Sequence, residues 1–272
     1  MDVFGLKPLL IWALIFIPLE RILALRPQQK IFRKGVFNDL SYYVFNGIAV
    51  NFIGGVLFVP VISAAALLVP TGLTEAVAQQ ATWLQVIEIV VMTDLGVYAA
   101  HRAFHAVPIL WRFHSIHHGV EEMDYLAAFH VHPIDQILTK AAALVPVFLL
   151  GFDGEALGIY FLIYAGHAML IHANLRISFG PLKWLIASPQ FHHWHHAGER
   201  SAYDKNFAGQ LSIIDLIFGT FRIPGASMPA KYGVDDPIPT NFFGQIGYPL
   251  TPHKAGSPAK PVTTSDRPQS EL

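Results

Sequence analysis

The chain has 272 residues with a net charge of −1. Hydrophobic residues make up 53%, charged ones 14%, and mean hydropathy is +0.43. Soluble domains carry about a quarter of their residues charged, so this balance indicates an integral membrane protein, and the lack of a basic run removes nucleic acid as a partner. Cysteine is absent, which excludes thiolate metal sites.

In chain order, Val3 to Leu25 is long enough to span a hydrocarbon core of about 30 Å, which takes roughly 20 helical residues. The connector that follows carries Arg26, Lys30, Arg33 and Lys34, placing this loop in the cytoplasm and Met1 outside. Leu40 to Val69 exceeds one straight span, and Asn51, Gly54, Gly55 and Pro60 interrupt it, so a tilted or kinked helix is expected. After an external link from Pro70 to Gln80, a third span starts near Thr82 and returns to the cytoplasmic side close to His101. Two further apolar segments, Gln136 to Leu150 and Glu155 to about His172, flank the turn Gly151-Phe152-Asp153-Gly154 and read as a helical hairpin. From Arg176 to Tyr248 the composition is mixed and suits a cap of short helices. The tail from Pro252, rich in Pro, Ser and Thr, is expected to be disordered. The expectation is therefore an all-α fold: an integral membrane helical bundle with a cytoplasmic histidine-rich metal-binding cap. It divides into N-terminal membrane helices (1–80), a catalytic region (81–248) and a tail (249–272).

Eleven of the 14 histidines fall within 101–132 or 192–196. His101 and His105 stand four apart, His114, His117 and His118 form H-x-x-H-H, and His192, His195 and His196 repeat it. Residues four apart share a helix face, so each motif offers a near pair plus an adjacent ring. A lone histidine is most often structural, but this many beside apolar segments, where unpaired polar groups are expensive, point to a metal site. Three or four ligands suffice for one zinc ion, and eight clustered rings favour two metals. Imidazole accepts iron, copper and zinc alike, and spacing does not choose among them. Asp94, Tyr98, His101 and His105 draw one polar stripe along an apolar helix. Asp94 is expected to accept the second ring N–H of a ligating histidine, against the plainer reading as a packing residue.

The order H-x-x-x-H, H-x-x-H-H, H-x-x-H-H, preceded by D-x-x-x-Y-x-x-H-R and followed by F-G-T-F, resembles the fatty acid hydroxylase/sterol desaturase superfamily over about Asp94 to Phe221. The resemblance implies a membrane-embedded, O2-dependent enzyme with a histidine-held dimetal centre, usually of iron, with zinc as a replacement. His101, His105, His114, His117, His118, His192, His195 and His196 are then the ligand candidates, with Asp94 and Tyr98 beside them. His132-Pro133 resembles the family's R-x-H-P, and His172-Ala173-Asn174 its H-x-N, which adds His132 and His172. His167 lies five before His172, a spacing similar to an extra ligand pair, although on a regular helix it points about 140° away. A histidine, His130, stands at the position before His-Pro where the pattern is basic, and its role stays open, as does that of His193. The implied reaction is hydroxylation or desaturation of a membrane lipid, fatty acyl or sterol-like substrate, with electrons from a separate carrier protein. Two rival classes are a metal transporter, whose histidines would line a path across the bilayer, and a membrane zinc hydrolase, for which H-E-x-x-H is missing.

Overall fold

The computed structural model describes residues 5–251. The start of the first expected span, Met1 and most of the expected disordered tail lie outside them. Among the described residues the regular elements are all helices, with no strands and two isolated bridges, Ala24 to Leu175 and Ala197 to Tyr232.

Helix α1 (Leu6–Ile22) has 17 residues and covers most of the first expected span within the described residues. Its polar end is built into the cap. Glu20 is buried and accepts the backbone N–H groups of Tyr125 at 2.8 Å and Asn174 at 2.9 Å. Arg21 donates to the Gln29 carbonyl at 2.9 Å.

Four stretches have the length and composition of membrane spans: Val36–Ala66, Thr82–Ala106, Pro133–Leu150 and Gly154–His172. The first joins α2 (Val36–Ile53) to α3 (Val59–Ala66) through a π-helical turn, Gly54–Phe58. Pro60 has no N–H to give to the carbonyl of the preceding turn, and the adjacent glycines tolerate the wider register. The interruption expected from sequence is therefore a change of helical pitch. A short α4 (Thr71–Ala78) leads into α5 (Thr82–Ala106).

Helix α5 organises the bundle. At Gly96 an added Cβ would lie 2.4 Å from the Ala142 carbonyl oxygen and 2.8 Å from the Ala143 Cα, so the backbones of α5 and α7 (Pro133–Leu150) touch there. Small residues permit such close crossings in membranes, where van der Waals packing drives association. Helices α7 and α8 (Gly154–His172) form the expected hairpin. Gly151 takes a left-handed conformation (φ 73°) at the end of α7, and Asp153 caps α8 through the Ala156 N–H at 2.7 Å. Inside this layer Ile89 of α5 is buried with Val147 of α7 and with Ala156 and Tyr160 of α8.

Proline sets the cap's geometry. Val107 is extended before Pro108, which ends α5 and starts α6 (Pro108–His118) at a sharp corner. Pro189 likewise opens α9 (Pro189–His195), with Ser188 capping the Phe191 N–H at 3.1 Å. The corner folds α6 back against the end of α5, and α9 packs against the end of α8, closing a box of four helix segments. Two later helices, α10 (Ser212–Ile217) and α11 (Phe242–Gly247), complete the cap. Tyr248–Leu250 forms a last turn, and Arg112 donates to the Thr251 carbonyl, so order continues to the end of the described residues.

Candidate metal centre

The box is lined with imidazoles. His101, His105, His114, His118 and His195 form one group and His117, His172, His192 and His196 a second, and within each group the ligating atoms lie within 4.8 Å of one another. The groups adjoin, with ring centroids of His118 and His196 4.6 Å apart. Helix geometry explains the partition. In α6, His114 and His118 share a face and enter the first group, while His117 turns into the second. In α9 and at its C-cap, His192 and His196 enter the second group, while His195 turns into the first. Helix α5 then adds His101 and His105 to the first group, and the end of α8 adds His172 to the second.

Hydrogen bonds at the outer nitrogens fix the tautomers. His101 Nδ1 donates to the Phe207 carbonyl at 2.7 Å, His195 Nδ1 to the Lys205 carbonyl at 2.7 Å, and His117 Nδ1 to the His130 carbonyl at 3.1 Å. His172 Nδ1 donates to the Ala168 carbonyl at 2.7 Å. A carbonyl only accepts, so each of these rings has its proton on Nδ1 and a lone pair on Nε2. Carboxylates serve two more rings: Asp135 takes His114 Nδ1 at 2.7 Å, and Asp204 lies 3.3 Å from His105 Nδ1.

The Nε2 atoms then face one another, as lone pairs on the rings just named, while the buried Nδ1 atoms of His192 and His196 have no hydrogen-bond partner among the described residues. His117 Nε2 is 3.3 Å from His172 Nε2, which is 2.9 Å from His192 Nε2, itself 3.1 Å from His196 Nε2. In the first group His105 and His118 bring Nε2 atoms within 3.2 Å, and the buried Nε2 atoms of His101, His114 and His195 have no hydrogen-bond partner among the described residues. Converging lone pairs repel unless a cation lies between them, and nitrogens each about 2.0–2.1 Å from a shared ion stand about 3 Å apart. The donor set fits metal ions, two of them, held entirely by nitrogen. Burial, reinforced by mutual repulsion of the rings, pushes the pKa values of His114, His118, His192 and His196 well below the ordinary histidine value. The neutral, ligating form is thereby favoured.

Two of the expected ligands fall outside both groups. His132 accepts the Ile134 N–H through Nδ1 at 3.2 Å and donates to the Ile246 carbonyl, acting as the cap of α7. His167 donates to the Ala187 carbonyl at 2.9 Å, consistent with its turn away from His172 on α8. Asp94 does not meet a ring. Its two oxygens accept the N–H groups of Gly209, Gln210 and Leu211 at 2.8, 3.0 and 2.6 Å, which ties down the loop that presents the Phe207 carbonyl to His101. Tyr98 is also turned aside, its hydroxyl bonded to Thr220 at 3.0 Å and to Arg102 at 3.2 Å.

That loop is strained where it meets the centre. Asp204 and Asn206 have positive φ (56° and 61°), and the intervening and following carbonyls, Lys205 and Phe207, are the ones aimed at His195 and His101. Asp and Asn tolerate this conformation best among residues with a side chain. Asn206 is fully buried and bonded to the carbonyls of Phe191 and Arg222, and Asp215 accepts the N–H groups of Phe207 and Ala208 at 2.8 Å each. The histidine spacing singles out neither this stretch nor Asp135. The available signal for Asp135 is its place in the first turn of α7, two residues after Pro133 of the His-Pro step.

The two histidines left open, His130 and His193, lie outside both groups. His130 directs its carbonyl at His117 and its ring Nδ1 at Asp39, 2.5 Å away, and Asp39 shares the buried Arg33 guanidinium with Asp124. His193 is fully buried, bonding Tyr232 at 2.7 Å and the Ala173 carbonyl at 3.1 Å.

The chain is thus an all-helical protein with four candidate membrane spans and a cap that encloses two adjoining all-histidine groups. Residues 86–220 match the model of the fatty acid hydroxylase family, and the chain belongs to that family. It is 31% identical to ornithine lipid hydroxylase OlsE of Rhizobium tropici, over 61% of this chain and 50% of that protein. It is 34% identical to human (Homo sapiens) alkylglycerol monooxygenase, over 54% of this chain and 32% of that one. Very-long-chain aldehyde decarbonylase GL1-1 of Oryza sativa subsp. indica is 31% identical over 57% of this chain and 26% of its own length. The chain thus spans half or less of the length of these relatives. No solved structure matches it.

Proposed function

We propose that the chain hydroxylates an unactivated C–H bond of a membrane lipid, using O2 and two iron ions held by the nine histidines of the two groups. The observation that carries this reading is the convergence of nine imidazole rings, their ligating nitrogens within 4.8 Å of one another in each of two adjoining groups, with no thiolate or carboxylate among them. The similarity to a lipid hydroxylase and a monooxygenase supports the reaction class. Bound iron supplies the one-electron chemistry with O2 that amino-acid side chains lack, and zinc can occupy the same nitrogens without it. The reaction takes up O2, two electrons and two protons, puts one oxygen atom into the C–H bond and releases the other in water. A separate electron-transfer protein delivers the electrons.

The chain's own residues supply position and exclusion. Carbonyls of Phe207, Lys205, His130 and Ala168 and the carboxylate of Asp135 hold the rings in one tautomer and orientation, which raises ligand basicity. Eight of the nine rings are buried, so bulk water is kept from the oxidising centre. Three of the four membrane-span helices end at or carry the centre's residues, so a lipid in the bilayer reaches it without entering water. On this reading the centre faces the cytoplasm. The basic connector supports that side, since Arg26 bonds Asn174 and the Pro229 carbonyl, and Arg33 bonds Asp124, all at the histidine end.

The test is turnover of Fe(II)-loaded protein in lipid nanodiscs with a reductant and 18O2. Lipid mass spectrometry should find one 18O atom per product. A product lacking two hydrogens and carrying no 18O would replace hydroxylation by desaturation, and protein active with one metal ion or none would refute the paired centre.

A further inference from the structure

We infer that the surface formed by the turn Gly180–Trp184 with Leu185 and by helix α10 is immersed in the bilayer interface, so part of the cap is a membrane-embedded lip beside the metal centre. Its occupant is lipid. Ile217 is 72% exposed, Leu182 56%, and Trp184 and Phe218 50% each, with Leu185, Leu216 and Ile213 exposed around them. The residues 211–219 contain a single charge, Asp215, and it points inward to bond Phe207, Ala208 and Thr220. Contiguous apolar surface of this kind marks a membrane or protein contact.

Its position selects the membrane. Asp94 lies in the span Thr82–Ala106, three turns before that helix ends, and it holds the N–H groups of Gly209, Gln210 and Leu211 immediately before α10. Phe218, immediately after α10, stacks on Tyr98 of the same span with ring centroids 5.0 Å apart. Both ends of the α10 segment are thus fixed on the bilayer side of His101 and His105. The second element is tied to the first, as Ser212 Oγ donates to the Lys183 carbonyl at 2.7 Å and the Ala187 N–H to the Gln210 carbonyl at 2.8 Å. Lys183 sets its ammonium 5.2 Å over the Trp184 ring, a pairing of aromatic body and cationic tip suited to the headgroup level. The apolar face joins α5 through the stack of Phe218 on Tyr98, and the inference does not depend on the chemistry of the histidines.

The natural absence of cysteine makes the test direct. Single variants Ile217→Cys and Leu182→Cys, with Lys231→Cys and Asp235→Cys as cap controls, are labelled with a polarity-sensitive fluorophore in full-length protein. Each is reconstituted in phosphatidylcholine vesicles with or without lipid carrying a nitroxide near the top of the acyl chain. Emission at 217 and 182 should shift to the blue of both controls and be quenched by the nitroxide lipid, with the controls unquenched. Water-like emission at both patch positions would overturn the inference. So would a blue shift that nitroxide lipid leaves unquenched, because a protein surface would then cover the patch. Agreement between two independent positions guards against a local disturbance at either one.

Discussion

Replacing Asp94 by Asn tests how the centre is held from a distance. One Asp94 oxygen takes the N–H groups of Gly209 and Gln210, and the other takes that of Leu211 at 2.6 Å. An amide keeps one acceptor, enough for the first pair, but sets an NH2 group against the Leu211 N–H. One charge-assisted bond is lost and a donor is left unmatched, together about 2–4 kcal/mol. Losing the support behind a metal ligand typically costs 10–100-fold in affinity, about 1.4–2.7 kcal/mol, so the loosened loop can release the Phe207 carbonyl from His101. Affinity of the five-histidine group should fall about 10–100-fold. The four-histidine group should be untouched, because His117 and His172 are held by His130 and Ala168 instead. Chelator competition on Co(II)-loaded protein measures both affinities, and amide exchange at 209–211 reports the loop. Faster exchange there with both affinities unchanged would refute the claim that this loop orients His101.

Asp135→Leu removes the acceptor of His114 Nδ1 and should also weaken the five-histidine group about 10–100-fold, with Asp135→Asn milder because its amide oxygen still accepts; the same competition assay decides. Gly96→Ala puts a methyl group into the Ala142–Ala143 backbone and should cost about 1–3 kcal/mol, read as a lowered unfolding temperature in detergent with metal stoichiometry preserved. Arg33→Met strands the buried carboxylates of Asp39 and Asp124 and should destabilise by about 3–5 kcal/mol in denaturant titration. His132→Ala and His167→Ala should each retain two metal ions per chain by elemental analysis, whereas His196→Ala should not.

Hydropathy makes α5, α7 and α8 legible, because a span needs only length and apolar content. It misses how the first segment is used. The apolar count over Val3 to Leu25 cannot register that Glu20 is buried against two backbone N–H groups from distant turns. At the centre, four-residue spacing correctly pairs His101 with His105. Spacing does not show that His132 and His167 lie outside the two groups, since a ring inside a group and a ring outside it leave the same letter in the sequence. Asp94 shows the same limit in reverse. Its place on the histidine stripe predicts contact with a ring, but the loop 209–211 comes from over a hundred residues away and occupies the carboxylate first. Supports made of backbone carbonyls, such as those of Lys205 and Phe207, carry no residue-type signal at all.

Because α6 and α9 each feed both groups, the two halves of the centre are geared together. One residue inserted between His114 and His117 would rotate everything after it by about 100° and exchange the allegiance of rings in both groups at once. The separation of the two groups is likewise a property of helical pitch, like the spacing of teeth cut on a single shaft, and loops can lengthen without altering it. No single compensating substitution repairs such an insertion; the register itself has to be restored.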